Sequence, residues 1–114
     1  MPALVLAALV PGAVLAPDRP ARANADQLAY GRHLSQECTT CHRRDGSDKG
    51  IPSIIGLEPD FFVTTMKFYQ TGARANQVMN SVAQALNEEQ FQALAIYFAS
   101  LKPAPTSPGG SRKR

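Results

Sequence analysis

One pentapeptide, Cys38-Thr39-Thr40-Cys41-His42, constrains the fold of this chain more than any other feature of its sequence. Cys-x-x-Cys-His is the attachment motif of c-type haem. The two-residue gap lets both thiols reach the two vinyl groups of one porphyrin, and the imidazole of the next residue can then bind the iron. The motif therefore predicts one haem c, held covalently by Cys38 and Cys41, with His42 as the proximal ligand.

Two other kinds of site share part of this motif. A redox-active dithiol has the same Cys-x-x-Cys spacing, but it usually lies beside a strand–helix pattern, which this sequence lacks. A zinc site needs a fourth ligand, and the only other histidine, His33, is expected on the solvent side of the first helix. A disulfide scaffold needs more than the two cysteines present. Haem attachment is therefore the favoured interpretation.

The ends of the chain differ in composition from its middle. Residues 3–16 form an apolar run that is too short to span a membrane, is interrupted by Pro11, and has the length of a signal-peptide core. We predict that residues 1–25 are a cleaved signal peptide for export to the periplasm. No Lys or Arg precedes the run, although a signal peptide normally has a positively charged segment there. A buried helix and an uncleaved anchor are the alternatives. Residues 26–102 are the predicted domain, and residues 103–114 a disordered basic tail.

The positive charge of the chain is concentrated in this tail. The net charge is +3, and residues 112–114 (Arg-Lys-Arg) supply three positive charges by themselves. Between Asp26 and Ser111, seven Lys and Arg residues are balanced by eight Asp and Glu residues. A nucleic-acid-binding domain needs a basic face, so nucleic acid is not an expected partner.

Helical periodicity runs through the middle of the chain, and no alternating strand pattern interrupts it. The first predicted helix covers about residues 25–37, the second begins at Glu58-Pro59 and ends at Gly72, and the third runs from the capping Asn87 to Leu101. A weaker short helix is predicted over residues 78–85, and residues 43–57 are predicted to be loop. The fold class is therefore all-α.

The haem is also expected to complete the hydrophobic core. A mature chain that begins after residue 25 would bury only roughly 60–65% of its unfolded surface, and small domains of this kind need additional stabilisation. Six residues are predicted to pack around the haem or between the terminal helices: Leu34, Ile54, Phe62, Met66, Leu94 and Phe98.

The distal iron ligand has three candidates: Met66, Met79 and His33. Met66 lies on an apolar stripe in the middle of the second helix, where a methionine more often fills the core. Met79 follows an open polar stretch and starts a weak helix, so its backbone segment can cover the second face of the haem. We predict Met79 as the distal ligand, with Met66 or an open iron as the alternatives.

Several of these residues together resemble a class I cytochrome c. Gly31, seven residues before Cys38, matches the glycine at which the terminal helices cross closely against an aromatic residue, here Tyr97 or Phe98. Residues 52–56 resemble the family's proline loop, whose proline carbonyl accepts the ring N–H of the proximal histidine. The resemblance implies a class I cytochrome c fold, with three main helices and loops wrapped around one covalently bound haem.

A narrower resemblance covers residues 52–79, carried by Phe61-Phe62-Val63 and by residues 68–72. This block is similar to the cytochrome subunit of flavocytochrome c sulfide dehydrogenase and to each half of related dihaem periplasmic cytochromes. It implies an electron-transfer subunit that accepts electrons from a sulfide-oxidising flavoprotein and is not an enzyme by itself. A free-standing electron carrier is the alternative. An enzyme or gas sensor with an open iron is disfavoured, because no distal acid–base pair is evident.

Overall fold

The computed structural model describes Gly12 and residues 19–103. Over this part the chain forms four α-helices and no strand: α1 (Arg19–Cys38), α2 (Pro59–Thr71), α3 (Gln77–Gln84) and α4 (Glu88–Ser100). Helix α4 packs against α1 and α2, and α3 packs against α2. The all-α prediction is confirmed. No helix among the described residues combines the length and the apolar character needed to cross a membrane.

Two predicted segments lie largely outside the described residues. The predicted signal peptide, residues 1–25, is described only at Gly12 and from residue 19 onward, and the predicted tail, residues 103–114, only at Pro103. Both segments, and the domain boundaries drawn from them, stay predictions.

The start of the first helix differs from its predicted position. Helix α1 begins at Arg19, six residues before the predicted start at Ala25. The apolar periodicity begins only with Leu28, but Ala21 and Ala23 are strong helix formers, so the helix extends beyond the apolar pattern. The predicted cleavage point after Ala25 therefore falls within α1.

Local signals begin and end the other long helices at the predicted residues. Pro59 is the first residue of α2, and Gly72 ends it in the left-handed conformation, with φ 81° and its N–H donating to the Tyr69 carbonyl. Asn87 caps α4: its side chain accepts from the Gln90 N–H at 2.9 Å, and the Gln90 side chain accepts from the Asn87 N–H at 3.0 Å. This reciprocal pair satisfies two backbone donors that the helix leaves free.

The core lies around α4, which packs against both α1 and α2. The Phe62 and Phe98 rings stack with their centroids 5.8 Å apart, and Tyr97 packs edge-on against Phe98 at 5.3 Å. All six residues predicted to pack in the core belong to this cluster or border it: Leu34, Ile54, Phe62, Met66, Leu94 and Phe98. Cys38 also borders the cluster, so the end of α1 is held against the core.

Candidate functional site

The predicted attachment motif begins at the last residue of α1. The Cys38 carbonyl accepts hydrogen bonds from the N–H groups of Cys41 at 3.3 Å and His42 at 2.9 Å, so the chain turns tightly as the helix ends. Cys38 is half-buried against the core, Cys41 is exposed, and His42 is half-buried. The structure therefore brings both thiols and the imidazole together within a single turn.

The His42 ring is oriented by a residue ten positions further along the chain. Its Nδ1 lies 2.7 Å from the carbonyl oxygen of Pro52. Because a carbonyl oxygen only accepts hydrogen bonds, Nδ1 must carry a proton, and in the neutral ring the Nε2 lone pair is then left free. This is the tautomer that a metal-binding imidazole needs, and the contact is the one expected from the proline loop.

The loop that supplies this carbonyl is fastened to α4. The Gly56 N–H donates to the Phe98 carbonyl at 2.9 Å, and the side chain of Ile55 is buried in the core. Between these anchors and Pro52, the Ser53 hydroxyl accepts from the Ile55 N–H at 3.3 Å. The position of the Pro52 carbonyl therefore follows from packing against the last helix.

The environment of Cys38 is unlike that of a redox-active thiol. Burial raises the pKa of the Cys38 thiol to about 11, so the thiol is protonated at neutral pH. Redox dithiols depend on a thiolate with a lowered pKa. In the described part of the chain, no three His, Cys, Asp or Glu side chains are grouped to hold a metal ion.

A cavity of about 330 Å³ opens beside Cys38, between α1, α3 and α4. Its apolar walls are formed by Leu34, Val82, Leu86 and Leu94, with polar residues such as His33 and Glu37 at its edge. His33 is exposed, as predicted. The described residues that line the cavity include Cys38 but neither Cys41 nor His42. Apolar walls next to one thiol of the motif fit a part of the flat and largely apolar ring of a haem.

The two candidate methionines lie in different environments. Met66 is 6% exposed and belongs to the core cluster, in keeping with a packing role. Met79 lies in the first turn of α3, half-buried against the same cluster that Cys38 borders. Among the described residues, those lining the cavity beside Cys38 include Val82, one turn after Met79 on α3, but not Met79 itself.

Two amide side chains fix α3, and no local sequence pattern predicts a role for either of them. The Gln70 Nε2 donates to the Ala83 carbonyl at 3.2 Å and to the Leu86 carbonyl at 2.8 Å. The Asn80 Nδ2 donates to the Tyr69 carbonyl at 2.7 Å. These bonds join residues 11 to 16 positions apart. No periodic pattern marks such pairs, and the only sequence signal is an amide placed beside apolar residues.

A second cavity, of about 640 Å³, opens at the surface beside Cys41. The residues lining it include the two threonines of the motif and the two arginines that follow it: Thr39, Thr40, Arg43 and Arg44. Ile51, which is 42% exposed, adds an apolar side chain. Asp45 adds a carboxylate, so the surface around the exposed thiol is a mixture of hydroxyl, apolar and oppositely charged groups.

Comparison with known proteins identifies the family. Over 72 residues the chain is 35% identical to the cytochrome subunit of sulfide dehydrogenase of Chlorobaculum tepidum, and this match covers 62% of this chain and 66% of the relative. Over 81 residues it is 27% identical to cytochrome c-554(548) of Halomonas halodenitrificans, and this match covers 67% of this chain and 98% of the relative. The chain belongs to the c-type cytochromes. The four-helix structure of this cytochrome is the class I cytochrome c fold.

The same cytochrome is also similar to longer proteins. Over 70 residues it is 34% identical to the thiosulfate dehydrogenase electron acceptor of Thiomonas intermedia, and this match covers 59% of this chain but only 32% of the relative. The chain thus spans about a third of that relative and about two thirds of the sulfide dehydrogenase subunit. No protein-family model matches the chain.

Proposed function

We propose that this cytochrome carries single electrons in the periplasm, with one haem c bound covalently to Cys38 and Cys41 and ligated by His42 and Met79. The observation that carries the proposal is the 2.7 Å contact between the His42 Nδ1 and the Pro52 carbonyl oxygen. It holds the proton on Nδ1 and keeps Nε2 available for iron. When bound, the haem supplies a one-electron Fe(III)/Fe(II) couple.

The two cysteines have a separate task from the histidine. Cys38 and Cys41 would hold the haem through two thioethers, with each S–H added across one vinyl double bond of the porphyrin. The sequence contains one Cys-x-x-Cys-His motif and two cysteines in all, so the proposal is for a single haem. Covalent attachment suits an exported protein, because a cofactor lost outside the cytoplasm is not replaced.

Met79 is the proposed distal ligand because of the helix on which it lies. Val82 of the same helix, and Leu86 just beyond its end, form walls of the cavity beside Cys38. A thioether ligand favours ferrous iron and raises the reduction potential, which suits an electron acceptor. With His42 and Met79 both bound to the iron, no position would be open to a substrate, and electron transfer is the chemistry left to the protein.

The proposed donor is a flavoprotein that oxidises sulfide. Support comes from the relative named as the cytochrome subunit of sulfide dehydrogenase and from the sequence resemblance over residues 52–79. A free-standing carrier is the second candidate, and it is favoured by the relatives named as thiosulfate dehydrogenase electron acceptors. In both cases the residues around Cys41, such as Thr40 and Arg43, are the proposed contact region for a redox partner.

Native purification with intact mass measurement tests the proposal. The exported cytochrome should exceed the mass of its mature polypeptide by one haem, and this excess should survive acid–acetone extraction. A double variant, Cys38→Ala with Cys41→Ala, should lose the covalent haem. A bare-chain mass from cells able to mature c-type cytochromes would contradict the proposal.

The partner is tested in the same preparation. A stoichiometric flavoprotein that co-purifies with the tagged cytochrome, and that reduces its haem when sulfide is added, would establish the complex. A cytochrome that purifies alone, and whose haem is reduced at the same rate whether or not a flavoprotein is present, would favour the free-standing carrier.

A further inference from the structure

The side chain of Asn80 is fully engaged with the backbone around it. Its Nδ2 donates to the Tyr69 carbonyl at 2.7 Å and to the Arg74 carbonyl at 2.9 Å, and its Oδ1 accepts from the Asn76 N–H at 2.9 Å. An asparagine amide has two donor hydrogens, and both are used here. A flipped amide would place its oxygen against two carbonyls and its NH₂ against an N–H, so only this orientation satisfies all three partners.

These three partners belong to the segment that joins α2 to α3. Tyr69 lies in the last turn of α2, Arg74 lies in the linker, and Asn76 is the N-cap residue of α3. Every residue from 71 to 78 is exposed, so burial contributes little to the conformation of the linker. The linker therefore depends on hydrogen bonds for its shape, and Asn80 supplies bonds to both of its ends.

The same network reaches the backbone of Met79. The Asn76 side chain accepts from the Met79 N–H at 2.9 Å, and the Asn76 carbonyl accepts from the Asn80 N–H at 2.8 Å. Asn76 and Asn80 thus hold each other across the first turn of α3, with Met79 between them. Without the Asn80 side chain, the linker would keep the Arg74 N–H bond to the Phe68 carbonyl at 3.0 Å, but the first turn of α3 would lose its own side-chain bond to α2.

We propose that Asn80 is a positioning residue for Met79, because it holds the first turn of α3, which carries Met79, against α2. This inference rests on the proposed ligation by His42 and Met79. Gln70 binds the other end of α3, through the carbonyls of Ala83 and Leu86. The far end of α3 is therefore held independently, and loss of Asn80 should loosen the turn that carries Met79 rather than the whole helix.

Imidazole binding to the oxidised holoprotein measures how often the distal position is free. An external ligand binds only when Met79 has left, so its apparent affinity scales with the open population. Asn80→Ala removes three hydrogen bonds, and we expect it to tighten imidazole binding by roughly ten-fold or more. When the pH is raised, the near-infrared sulfur-to-iron band of the variant should also disappear at a lower pH than the band of the wild type does.

Two further variants sharpen this test. Asn80→Asp is almost the same size but replaces the two N–H donors with an oxygen, so it should tighten imidazole binding as Asn80→Ala does; it also serves if Asn80→Ala does not yield folded holoprotein. Ser81→Ala is the matched control, because the Ser81 hydroxyl bonds only within α3, to the Gln77 carbonyl at 3.1 Å. It should leave imidazole affinity unchanged.

The outcomes separate this inference from the proposed ligation. If Met79→Ala keeps the near-infrared band, the ligation is wrong and the role of Asn80 is overturned with it. If Met79→Ala loses the band, but both Asn80 variants bind imidazole as the wild type does, the ligation stands and the positioning role alone is overturned. Tighter imidazole binding in both Asn80 variants, without a change in Ser81→Ala, is the supporting result.

Discussion

Gly31 of α1 lies so close to the backbone of Ala93 in α4 that a single added carbon would collide with the Ala93 carbonyl group. The same carbon would lie 2.8 Å from the Cβ of Tyr97, which identifies Tyr97 as the aromatic partner expected at this crossing. The crossing sets the direction of α1 and therefore the place where Cys38 ends it. The haem-attachment motif thus depends on a contact two helical turns away.

Gly31→Ala should destabilise the protein. Alanine favours a helix over glycine by about 1 kcal/mol, but the carbonyl it would meet is backbone and cannot rotate away. Overpacking of this kind typically costs about 1–3 kcal/mol and here meets rigid atoms, so we expect a net loss of about 2 kcal/mol in the free energy of unfolding. Chemical unfolding of the holoprotein measures it. Arg32→Ala, at the exposed neighbouring position, should change stability by less than about 0.5 kcal/mol.

Replacement of each methionine separates ligand from core. Met79→Ala should abolish the near-infrared sulfur-to-iron band of the oxidised protein with a moderate effect on folding. Met66→Ala should keep the band but lower the free energy of unfolding by about 2–5 kcal/mol, because Met66 is 6% exposed in the core. The reverse assignment, a band lost only in Met66→Ala, would show that the ligand is Met66.

The apoprotein should unfold without a cooperative transition. Helices α1, α3 and α4 enclose a cavity beside Cys38, and a domain this small needs additional stabilisation to hold its helices together. Circular dichroism and calorimetry of the Cys38→Ala, Cys41→Ala double variant, prepared without haem, measure this. A sharp calorimetric transition in that protein would mean that the haem is not needed to complete the fold.

The cap of α4 is expected to be worth about 1 kcal/mol. Asn87→Ala removes the side-chain acceptor for the Gln90 N–H and should lower the free energy of unfolding by that amount. Asn87→Asp keeps an acceptor oxygen at the same place and should retain most of the stability. If Asn87→Ala and Asn87→Asp are both as stable as the wild type, the capping bond contributes nothing measurable, and packing alone places α4.

The ion pair beside this cap should be visible in a titration. The Lys67 side chain, 2.8 Å from Glu88, holds the pKa of the Glu88 carboxyl below its ordinary value, and the hydrogen bond from the Gln92 amide is the second cause. In Lys67→Ala the Glu88 pKa should rise, as followed by NMR. A carboxyl with a depressed pKa stabilises the folded state above its unfolded pKa and ceases to do so as the pH falls through its folded pKa. Any stability difference between the two proteins should therefore vanish in acid.

Local signals in the sequence were sufficient for most of the secondary structure and for the grouping of Cys38, Cys41 and His42 in one turn. The capping pair at Asn87 and the stop at Gly72 act over three or four residues, so they could be read directly from the chain. The spacing within Cys38–His42 reflects the size of a porphyrin and likewise needs no tertiary information. The start of α1 was misplaced, because its first turns carry helix formers without an apolar stripe.

Contacts between distant residues were decided only in the tertiary structure. The contact of Pro52 with His42 was expected from a resemblance to a family and not from any local pattern, and its geometry depends on the anchoring of the loop to Phe98. No local pattern in the sequence indicated the partners of Asn80, the carbonyls of Tyr69 and Arg74. Spacing and periodicity describe neighbours along one element, whereas these hydrogen bonds form between backbone groups that become neighbours only after α2, α3 and α4 have packed.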